Sequence, residues 1–284
     1  MFKSALMKKN VFFLLASLSL VSLSQLRSQP VTIVAAENFY GGVAAKVVGS
    51  SANVTSIMSN PNQDPHEFQT DADTAKAVAN ADIVIYSGLG YDSWMEKLIS
   101  SQAKPGRVVI KVSDLIGAKD GDNPHIWYYP RTMPALVEKL ASVLNKPDAV
   151  AKFSKSMKPL LDEIAKLQPK ARGVKVTATE PVFGYMAAAL GFEMLNYGLQ
   201  LSVMNDTDPS FRQMVNFEKS LTTKTARILF CNSQVSNPAT QRMQALAKSS
   251  GIPVVGVTET QPADATTYVQ WMLSQLMAVD AALN

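Results

Sequence analysis

The chain has 284 residues, of which 47% are hydrophobic and 18% charged, so it has enough apolar material for two domains rather than one. Its 27 Lys and Arg residues exceed its 23 Asp and Glu residues, and the pI is about 9.0. Three of these basic residues lie within residues 1–24, which contain no acid, so the remainder carries 24 positive against 23 negative charges. No basic cluster or RNA-binding signature is left, which excludes a nucleic-acid partner.

Residues 1–24 are predicted to be a secretory signal peptide. Lys3, Lys8 and Lys9 form a basic start, and an apolar, serine-containing stretch follows at 11–23. Small residues at 22–24 suit a signal peptidase. The apolar stretch is too short and too rich in serine for a membrane span, and no later segment has the length and freedom from charge to be one. We therefore expect an exported protein without a transmembrane helix.

The number and position of cysteines help to predict where the protein is located. The sequence has one cysteine, Cys231, at the end of the apolar run 226–231, which is predicted to be a buried strand. It has no partner for an internal disulfide, and a buried apolar thiol is usually inert. It also lies far from the signal region, so no cysteine is available for lipid attachment after cleavage. These features predict an unlipidated protein of the periplasm.

Apolar runs rich in β-branched residues alternate with helical patterns, which predicts an α/β fold with mostly parallel strands. In the first half, helices are predicted at 39–48, 71–79 and 94–99. Strands are predicted at 31–36, 54–58, 83–86 and 108–112.

Residues 130–168 differ, because they contain no strand-like run and their apolar residues recur at helical spacing. Pro147 suits the first turn of a helix, so two helices are predicted to meet near 145–146, the second of them long. Packing against the core explains the apolar stripe by itself. The position between two α/β halves further indicates that residues 147–168 form a rigid connector.

The second half repeats the alternation of strands and helices. Strands are predicted at 174–179, 228–232 and 253–257, with a short strand near 198–203, and helices at 181–190, 211–221, 239–249 and 265–283. The predicted fold is therefore α/β, with two lobes of mostly parallel sheets joined by a long rigid helix and a cleft between the lobes. The predicted division is an N-terminal lobe at 25–146, a connecting helix at 147–168 and a C-terminal lobe at 169–284.

The sequence has only two histidines, and both occur in matching settings. His66 lies in Asp-Pro-His-Glu-Phe and His125 in Asn-Pro-His-Ile-Trp, so each follows a proline that stiffens the loop. Histidine is the commonest protein metal ligand. Either residue alone would be an ordinary surface or core histidine, but their repetition in a matching frame indicates a pair.

The predicted strands place four side chains that can bind a metal in loops beyond strand carboxyl ends, where ligands bind in open parallel sheets. Two come from each lobe: His66, His125, Glu180 and Glu259. An ion in the cleft would therefore be held by both halves. Two imidazoles and two carboxylates form a mixed N/O site that suits Mn²⁺, Fe²⁺ or Zn²⁺, and the lack of thiolates disfavours Cu(I).

Other roles are open for some of these residues. Glu180 equally suits the N-terminus of the following helix, where the helix dipole favours a carboxylate. Glu259 is a weaker candidate, because other acids also lie near loops: Glu67, Asp206, Asp208 and Asp264. These other acids are more typical of helix caps, of contacts that support a ligand, or of solvated charges. Five aromatic residues could line the cleft but are more typical of core packing: Tyr91, Trp94, Trp127, Tyr128 and Tyr185.

Spaced motifs resemble the metal-specific substrate-binding proteins of bacterial ABC importers, the zinc, manganese and iron group. Asp-Pro-His-Glu-Phe at 64–68 is similar to the family's first-ligand motif, and Asn-Pro-His-Ile-Trp at 123–127 to its second. Gly-Leu-Gly-Tyr-Asp-Ser-Trp-Met at 88–95 resembles the turn and helix that follow the first ligand. Phe-Gly-Tyr-Met at 183–186 and Leu-Gly-Phe at 190–192 resemble the helix after the third ligand. The resemblance covers residues 31–284.

The resemblance implies that His66, His125, Glu180 and Glu259 ligate the metal. Zinc-selective members often have a histidine where Glu180 stands and a loop rich in histidine and acids before the second ligand. The loop at 117–122 has no histidine, so both differences favour Mn²⁺ or Fe²⁺, with Zn²⁺ as the alternative. The last ligand of the family is usually Asp, so Glu259 is a departure. A long connecting helix, as in the family, would limit hinge bending, so metal capture would order loops and shift the lobes modestly.

The leading interpretation is a monomeric periplasmic protein, not an enzyme, that captures one divalent metal ion and delivers it to the membrane permease of an ABC importer. A secreted metalloenzyme that uses two histidines and a carboxylate is an alternative. The sequence has no His-Glu-x-x-His helix and no Gly-x-Ser-x-Gly elbow, however, and four ligands would leave a tetrahedral ion without an open position. A third interpretation is a binding protein for a metal chelate, with an enlarged cleft and Glu259 turned away from the ion.

Overall fold

A computed structural model describes residues 30–60 and 68–284 of the chain. The predicted signal peptide at 1–24 and the predicted ligand His66, together with Glu67, lie outside the described residues. No helix in the described part of the chain combines the length and the apolar character needed to cross a membrane.

The N-terminal half contains a four-stranded parallel sheet, as the sequence predicts. Its strands are β1 (Val31–Glu37), β2 (Ala52–Met58), β3 (Ile83–Tyr86) and β4 (Val108–Lys111), in the order β2-β1-β3-β4. The helices are α1 (Asn38–Val48), α2 (Ala72–Asn80), α3 (Ser93–Ser101) and α4 (Val112–Leu115). Strand β4 is one residue shorter than predicted, because the chain turns into α4 at Val112. All four strands end at the same edge of the sheet.

The C-terminal half contains a second parallel sheet of four strands. They are β5 (Lys175–Ala178), β6 (Glu193–Met194), β7 (Leu229–Asn232) and β8 (Val254–Val257), in the order β6-β5-β7-β8. The helices are α7 (Gly184–Leu190), α8 (Tyr197–Met204), α9 (Phe211–Thr222), α10 (Pro238–Ser249) and α11 (Tyr268–Leu283). The two halves therefore have the same architecture, and the predicted two-lobed α/β class is confirmed.

The prediction of a short strand near 198–203 is wrong, because this segment lies within α8. Alternating apolar and polar residues indicate a strand, but Leu199 and Val203 are also one helical turn apart. Both pack on the same hydrophobic cluster of the C-terminal lobe. The short strand lies earlier, as β6, where it pairs with β5. Asn196, with φ of 58°, turns the chain between the two elements.

Two helices follow the first sheet: α5 (Thr132–Val143), which completes the first lobe, and α6 (Asp148–Ala171), which leads to the second. Helix α6 has 24 residues and packs on α5 of the first lobe and on α7 and α11 of the second. Its buried side chains recur every three or four residues, so one continuous apolar face contacts both lobes: Phe153, Met157, Leu160, Ile164 and Leu167.

The lobes share one hydrophobic cluster, which includes Ile33 and Ile85 of the first sheet and Phe230 of the second. Direct hydrogen bonds also cross between them. The Tyr268 hydroxyl donates to the Trp127 carbonyl at 2.8 Å, and the Asn38 amide donates to the Gln261 carbonyl at 2.9 Å. These contacts bring the carboxyl edges of the two sheets together.

Candidate metal centre

His125 lies at the end of the loop that follows β4 and α4, and it is fully buried. The Oδ1 atom of Asn123 lies 2.7 Å from the imidazole Nδ1. Because the Asn123 amide nitrogen donates to the Pro181 carbonyl at 2.7 Å, its oxygen must face the ring, and Nδ1 is the donor. In the neutral ring this tautomer leaves the lone pair on Nε2, which is the form of histidine that binds a metal.

The surroundings of His125 explain how the ring and its partner are held. The ring packs against Trp127 and Tyr91, with centroid distances of 5.3 and 6.1 Å. Gly184 allows Asn123 to approach α7, since a Cβ atom at this position would lie 2.8 Å from the Asn123 amide nitrogen. The Tyr185 hydroxyl donates to the Asn123 carbonyl at 3.0 Å. The loop of the first lobe is thus fixed by the second lobe.

Glu180 follows β5 and is 4% exposed. It occupies the N-cap position of the turn that begins at Pro181, as the alternative of a helix N-terminal carboxylate predicts, but its side chain makes no capping hydrogen bond there. Instead, its Oε2 accepts a hydrogen bond from the amide nitrogen of Asn232 at 3.3 Å. Glu180 therefore faces the carboxyl edge of the second sheet.

Glu259 follows β8 and is 1% exposed. Its Oε1 lies 3.5 Å from Nε2 of His125, and its Oε2 accepts from the Asn232 amide at 2.9 Å. The Tyr91 hydroxyl also interacts with this carboxylate. Burial, followed by the charges of Glu259 and Glu37, holds the pKa of Tyr91 well above its ordinary value, so Tyr91 is a neutral phenol.

Asn232 and Gln234 support the candidate ligands through hydrogen bonds, and the sequence did not single them out. Asn232 ends β7, the strand between β5 and β8, which explains why one amide reaches both Glu180 and Glu259. Two residues later, the Gln234 side chain donates to the Thr260 hydroxyl and accepts from the Thr260 backbone N–H, at 2.7 and 2.8 Å. The rule that ligands gather at strand carboxyl ends points to Asn232 as directly as to the two acids.

A second buried group, also missed, lies at the carboxyl edge of the first sheet. Glu37 ends β1, is 0% exposed, and interacts electrostatically with the buried carboxyl group of Asp92. Asp92 accepts from the backbone N–H groups of Ser87 and Gly88. Burial first, and then the neighbouring Asp92, raise the pKa of Glu37 well above its ordinary value, whereas burial raises that of Asp92 to about 6. Glu37, whose pKa burial and Asp92 both raise, is therefore the member of the pair that retains its proton more readily.

The structure brings three of the four predicted ligands, His125, Glu180 and Glu259, to the region where the two sheet edges meet. Among residues 30–60 and 68–284, no group of three or more His, Cys, Asp or Glu side chains is arranged to hold a metal ion. The donor chemistry nevertheless fits one. Nε2 of His125 makes no hydrogen bond with any described residue, and it faces a buried carboxylate. The competing acids Asp206, Asp208 and Asp264 are exposed, as solvated charges would be.

Comparisons with known proteins identify the family of the chain. Residues 33–282 match the family described as ZnuA, zinc-uptake complex component A, periplasmic. The manganese-binding lipoprotein MntA of Bacillus subtilis is 29% identical over 243 residues, which cover 78% of each chain. The iron ABC transporter substrate-binding lipoprotein MtsA of Streptococcus pyogenes is 24% identical over 266 residues, covering 85% of this chain and 84% of the relative.

Solved structures share the fold. The periplasmic zinc-binding protein TroA of Treponema pallidum superimposes with a TM-score of 0.71 at 18% identity, covering 90% of this chain and 99% of TroA. The substrate-binding protein FpvC of Pseudomonas aeruginosa, in complex with Mn²⁺, gives the same TM-score and identity, covering 90% of this chain and 98% of FpvC. Since the family match spans nearly all of the described chain, this protein belongs to the ZnuA family of periplasmic metal-uptake components.

Proposed function

We propose that this protein binds one divalent transition-metal ion through His66, His125, Glu180 and Glu259 and delivers it to the permease of an ABC importer. The observation that carries the proposal is the 3.5 Å separation of His125 Nε2 and Glu259 Oε1, both buried and contributed by opposite lobes. A metal ligated by both atoms needs only a small adjustment of this pair, because metal–nitrogen and metal–oxygen bonds are about 2.0–2.2 Å long.

The electrostatics support a cation as the ligand. Burying a carboxylate in a medium of low dielectric constant is costly unless opposite charge compensates it. A divalent ion would neutralise the charges of Glu180 and Glu259 together, and the oriented imidazole of His125 would complete its coordination. The donor set suits Mn²⁺, Fe²⁺ and Zn²⁺, and the relatives are named for manganese, iron and zinc alike.

The position of Glu259 also separates this proposal from the alternatives. A chelate-binding protein would keep Glu259 away from the ion, but the carboxylate faces His125, with Oε1 3.5 Å from Nε2. We further infer that the protein is not an enzyme, since four protein ligands would fill the coordination sphere of a tetrahedral ion.

Export, partner and domain organisation are part of the same proposal. We infer that residues 1–24 direct export and that residues 147–168 act as the rigid connector between lobes at 25–146 and 169–284. The protein would act as a monomer. The relatives MntA and MtsA are named lipoproteins, in contrast to the expectation of an unlipidated protein. The one cysteine of this sequence, Cys231, is buried in β7.

The test uses the two histidines as probes, in the chain purified without a histidine tag. Because the sequence has only two imidazoles, their ring-proton NMR signals can be followed individually during addition of Zn²⁺. We expect both signals to shift and to saturate at one equivalent. The His66→Ala and His125→Ala variants should each lose one signal and at least tenfold in affinity.

Thermal unfolding gives the matching control. Wild-type protein should be stabilised by about 2.7 kcal/mol at a free metal concentration 100 times the dissociation constant. Glu180→Gln and Glu259→Gln should lose most of this gain, whereas Glu138→Gln, an exposed position on α5, should retain it. A titration in which neither histidine signal responds to metal would refute the proposal.

A further inference from the structure

The bridging contact of Asn232 distinguishes the two oxygens of each candidate ligand. Its single amide nitrogen lies 2.9 Å from Oε2 of Glu259 and 3.3 Å from Oε2 of Glu180, so these two oxygens point toward β7. Oε1 of Glu259 points the other way, toward Nε2 of His125. The two carboxylates are thus turned so that each presents one oxygen to Asn232 and the other away from it.

The bridge is itself firmly held. Asn232 is 3% exposed, and its own oxygen accepts from the backbone N–H of Gln234 at 3.1 Å. The Gln234 side chain then closes the loop onto Thr260, beside Glu259. Because Asn232 ends a strand of the sheet and is fixed on both sides, it cannot easily withdraw when an ion arrives. Its hydrogen bonds with the carboxylates are therefore part of the bound site.

Resting on the function proposed above, we infer that Asn232 is a specificity-determining residue, which limits Glu180 and Glu259 to one metal bond each through Oε1. With two histidine nitrogens, the ion then has two nitrogen and two oxygen ligands. Zn²⁺ commonly adopts four-coordinate tetrahedral geometry in proteins, whereas Mn²⁺ favours six ligands, most of them oxygen. Carboxylates that bind through both oxygens would help to supply those six ligands. Asn232 therefore favours Zn²⁺ over Mn²⁺, opposing the preference for Mn²⁺ or Fe²⁺ expected from the missing third histidine.

The experiment measures selectivity and geometry together. Dissociation constants for Zn²⁺ and Mn²⁺ are determined by chelator competition for wild type, Asn232→Ala and Asn232→Ser, and the visible absorption of bound Co²⁺ reports coordination number. Neither substituted side chain can reach both carboxylates, so the bridging hydrogen bonds to the two Oε2 atoms are lost. We expect the ratio of Zn²⁺ to Mn²⁺ affinity to fall at least tenfold, and the intense Co²⁺ bands of a tetrahedral site to weaken. If Asn232→Ala fails to fold, the affinity ratio and the Co²⁺ spectrum of Asn232→Ser provide the test.

Gln234→Ala is the matched control. It loosens the same loop through Thr260 but leaves both hydrogen bonds of Asn232 to the carboxylates, so both metal affinities should fall while their ratio and the Co²⁺ spectrum stay unchanged. An equal loss of both affinities in the Asn232 variants, with an unchanged Co²⁺ spectrum, would overturn the inference and leave metal binding intact. Failure of wild-type protein to bind either metal would instead overturn the proposed function, and this inference with it.

Discussion

The Glu37–Asp92 pair places two interacting carboxyl groups near the end of β1, inside the first lobe. Two ionised carboxylates would repel each other there, and burial penalises each charge. Asp92 is the member stabilised as an anion, because backbone N–H groups of Ser87 and Gly88 donate to it. The shared proton therefore resides on Glu37, and its retention contributes to the stability of the folded chain.

This arrangement predicts how stability depends on pH in the metal-free protein. The pKa of Glu37 is higher in the folded than in the unfolded chain, and that of Asp92 is raised to about 6. The resulting stabilisation is complete at pH below the unfolded carboxyl pKa and is lost as pH rises through the folded pKa values. The free energy of unfolding should therefore fall as pH rises above the unfolded carboxyl pKa, by about 1.4 kcal/mol per pH unit for each proton that only the folded state still holds.

Glu37→Gln should flatten this dependence, because a glutamine amide can donate to Asp92 without carrying a titrating proton. The measurement is urea unfolding across the pH range in the presence of a chelator. Glu138→Gln, on the exposed face of α5, is the control and should follow the wild-type curve. Parallel curves for wild type and Glu37→Gln would show that Glu37 does not hold the proton.

At the level of residues, the sequence predicts the candidate metal ligands better than it predicts the residues that contact and orient them. His125 is recognisable from its motif, and Glu180 and Glu259 from their positions after predicted strands, but the four-ligand set remains a proposal. Asn232 is a common residue at a strand end, and only the order β5-β7-β8 shows that it lies between the two acids. Glu37 ends an apolar strand, where sequence alone does not reveal that its partner is Asp92, 55 positions later.

Helix α6 contains an interior proline that its sequence pattern would not favour. Pro159 lies on the exposed face, between the buried residues Met157 and Leu160. A proline inside a helix removes one hydrogen bond and its ring crowds the carbonyl of the residue four positions earlier, here Lys155. The apolar face of α6 outweighs this cost, because it packs on both lobes.

Pro159→Ala should therefore stabilise the protein, by about 1–3 kcal/mol in urea unfolding. Ser154→Ala, an exposed substitution in the same helix, should change stability by no more than about 0.5 kcal/mol, because it alters helix propensity alone. A gain at Pro159 no larger than that at Ser154 would mean that the helix already accommodates the proline without strain.

Elements were predictable where periodicity was sustained. The strand at 83–86 and the meeting of two helices near 145–146 agree with β3, α5 and α6, because each of these patterns fits only one type of secondary structure. The pattern at 198–203 fits two types, since Leu199 and Val203 share a face both in an alternating strand and across one helical turn. Tertiary packing on the second cluster decides for the helix, and a local pattern cannot supply that information.

For the whole molecule, the contacts between lobes determine how metal capture can proceed. The Tyr128 hydroxyl lies 2.6 Å from both the Thr258 carbonyl and Oε1 of Gln275, and Tyr268 reaches the Trp127 carbonyl. Both tyrosines are buried, and α6 spans the two lobes on the same side as α11. Opening the lobes as rigid bodies would break these hydrogen bonds and expose shared core. A wide hinge motion is therefore unfavourable, and the ion would instead be enclosed by local movement near the ligands.

Small-angle X-ray scattering checks this expectation. The radius of gyration of wild-type protein should change by no more than about 1 Å on saturation with Zn²⁺, in line with pre-organised binding. The double variant Tyr128→Phe, Tyr268→Phe loses the hydroxyl contacts between lobes but keeps both aromatic rings in the core. It should show a larger radius without metal and a measurable contraction with it, because less energy then holds the lobes together. A contraction of several ångströms in wild type would contradict the rigid connector, since α6 would have to bend or the shared core would have to open.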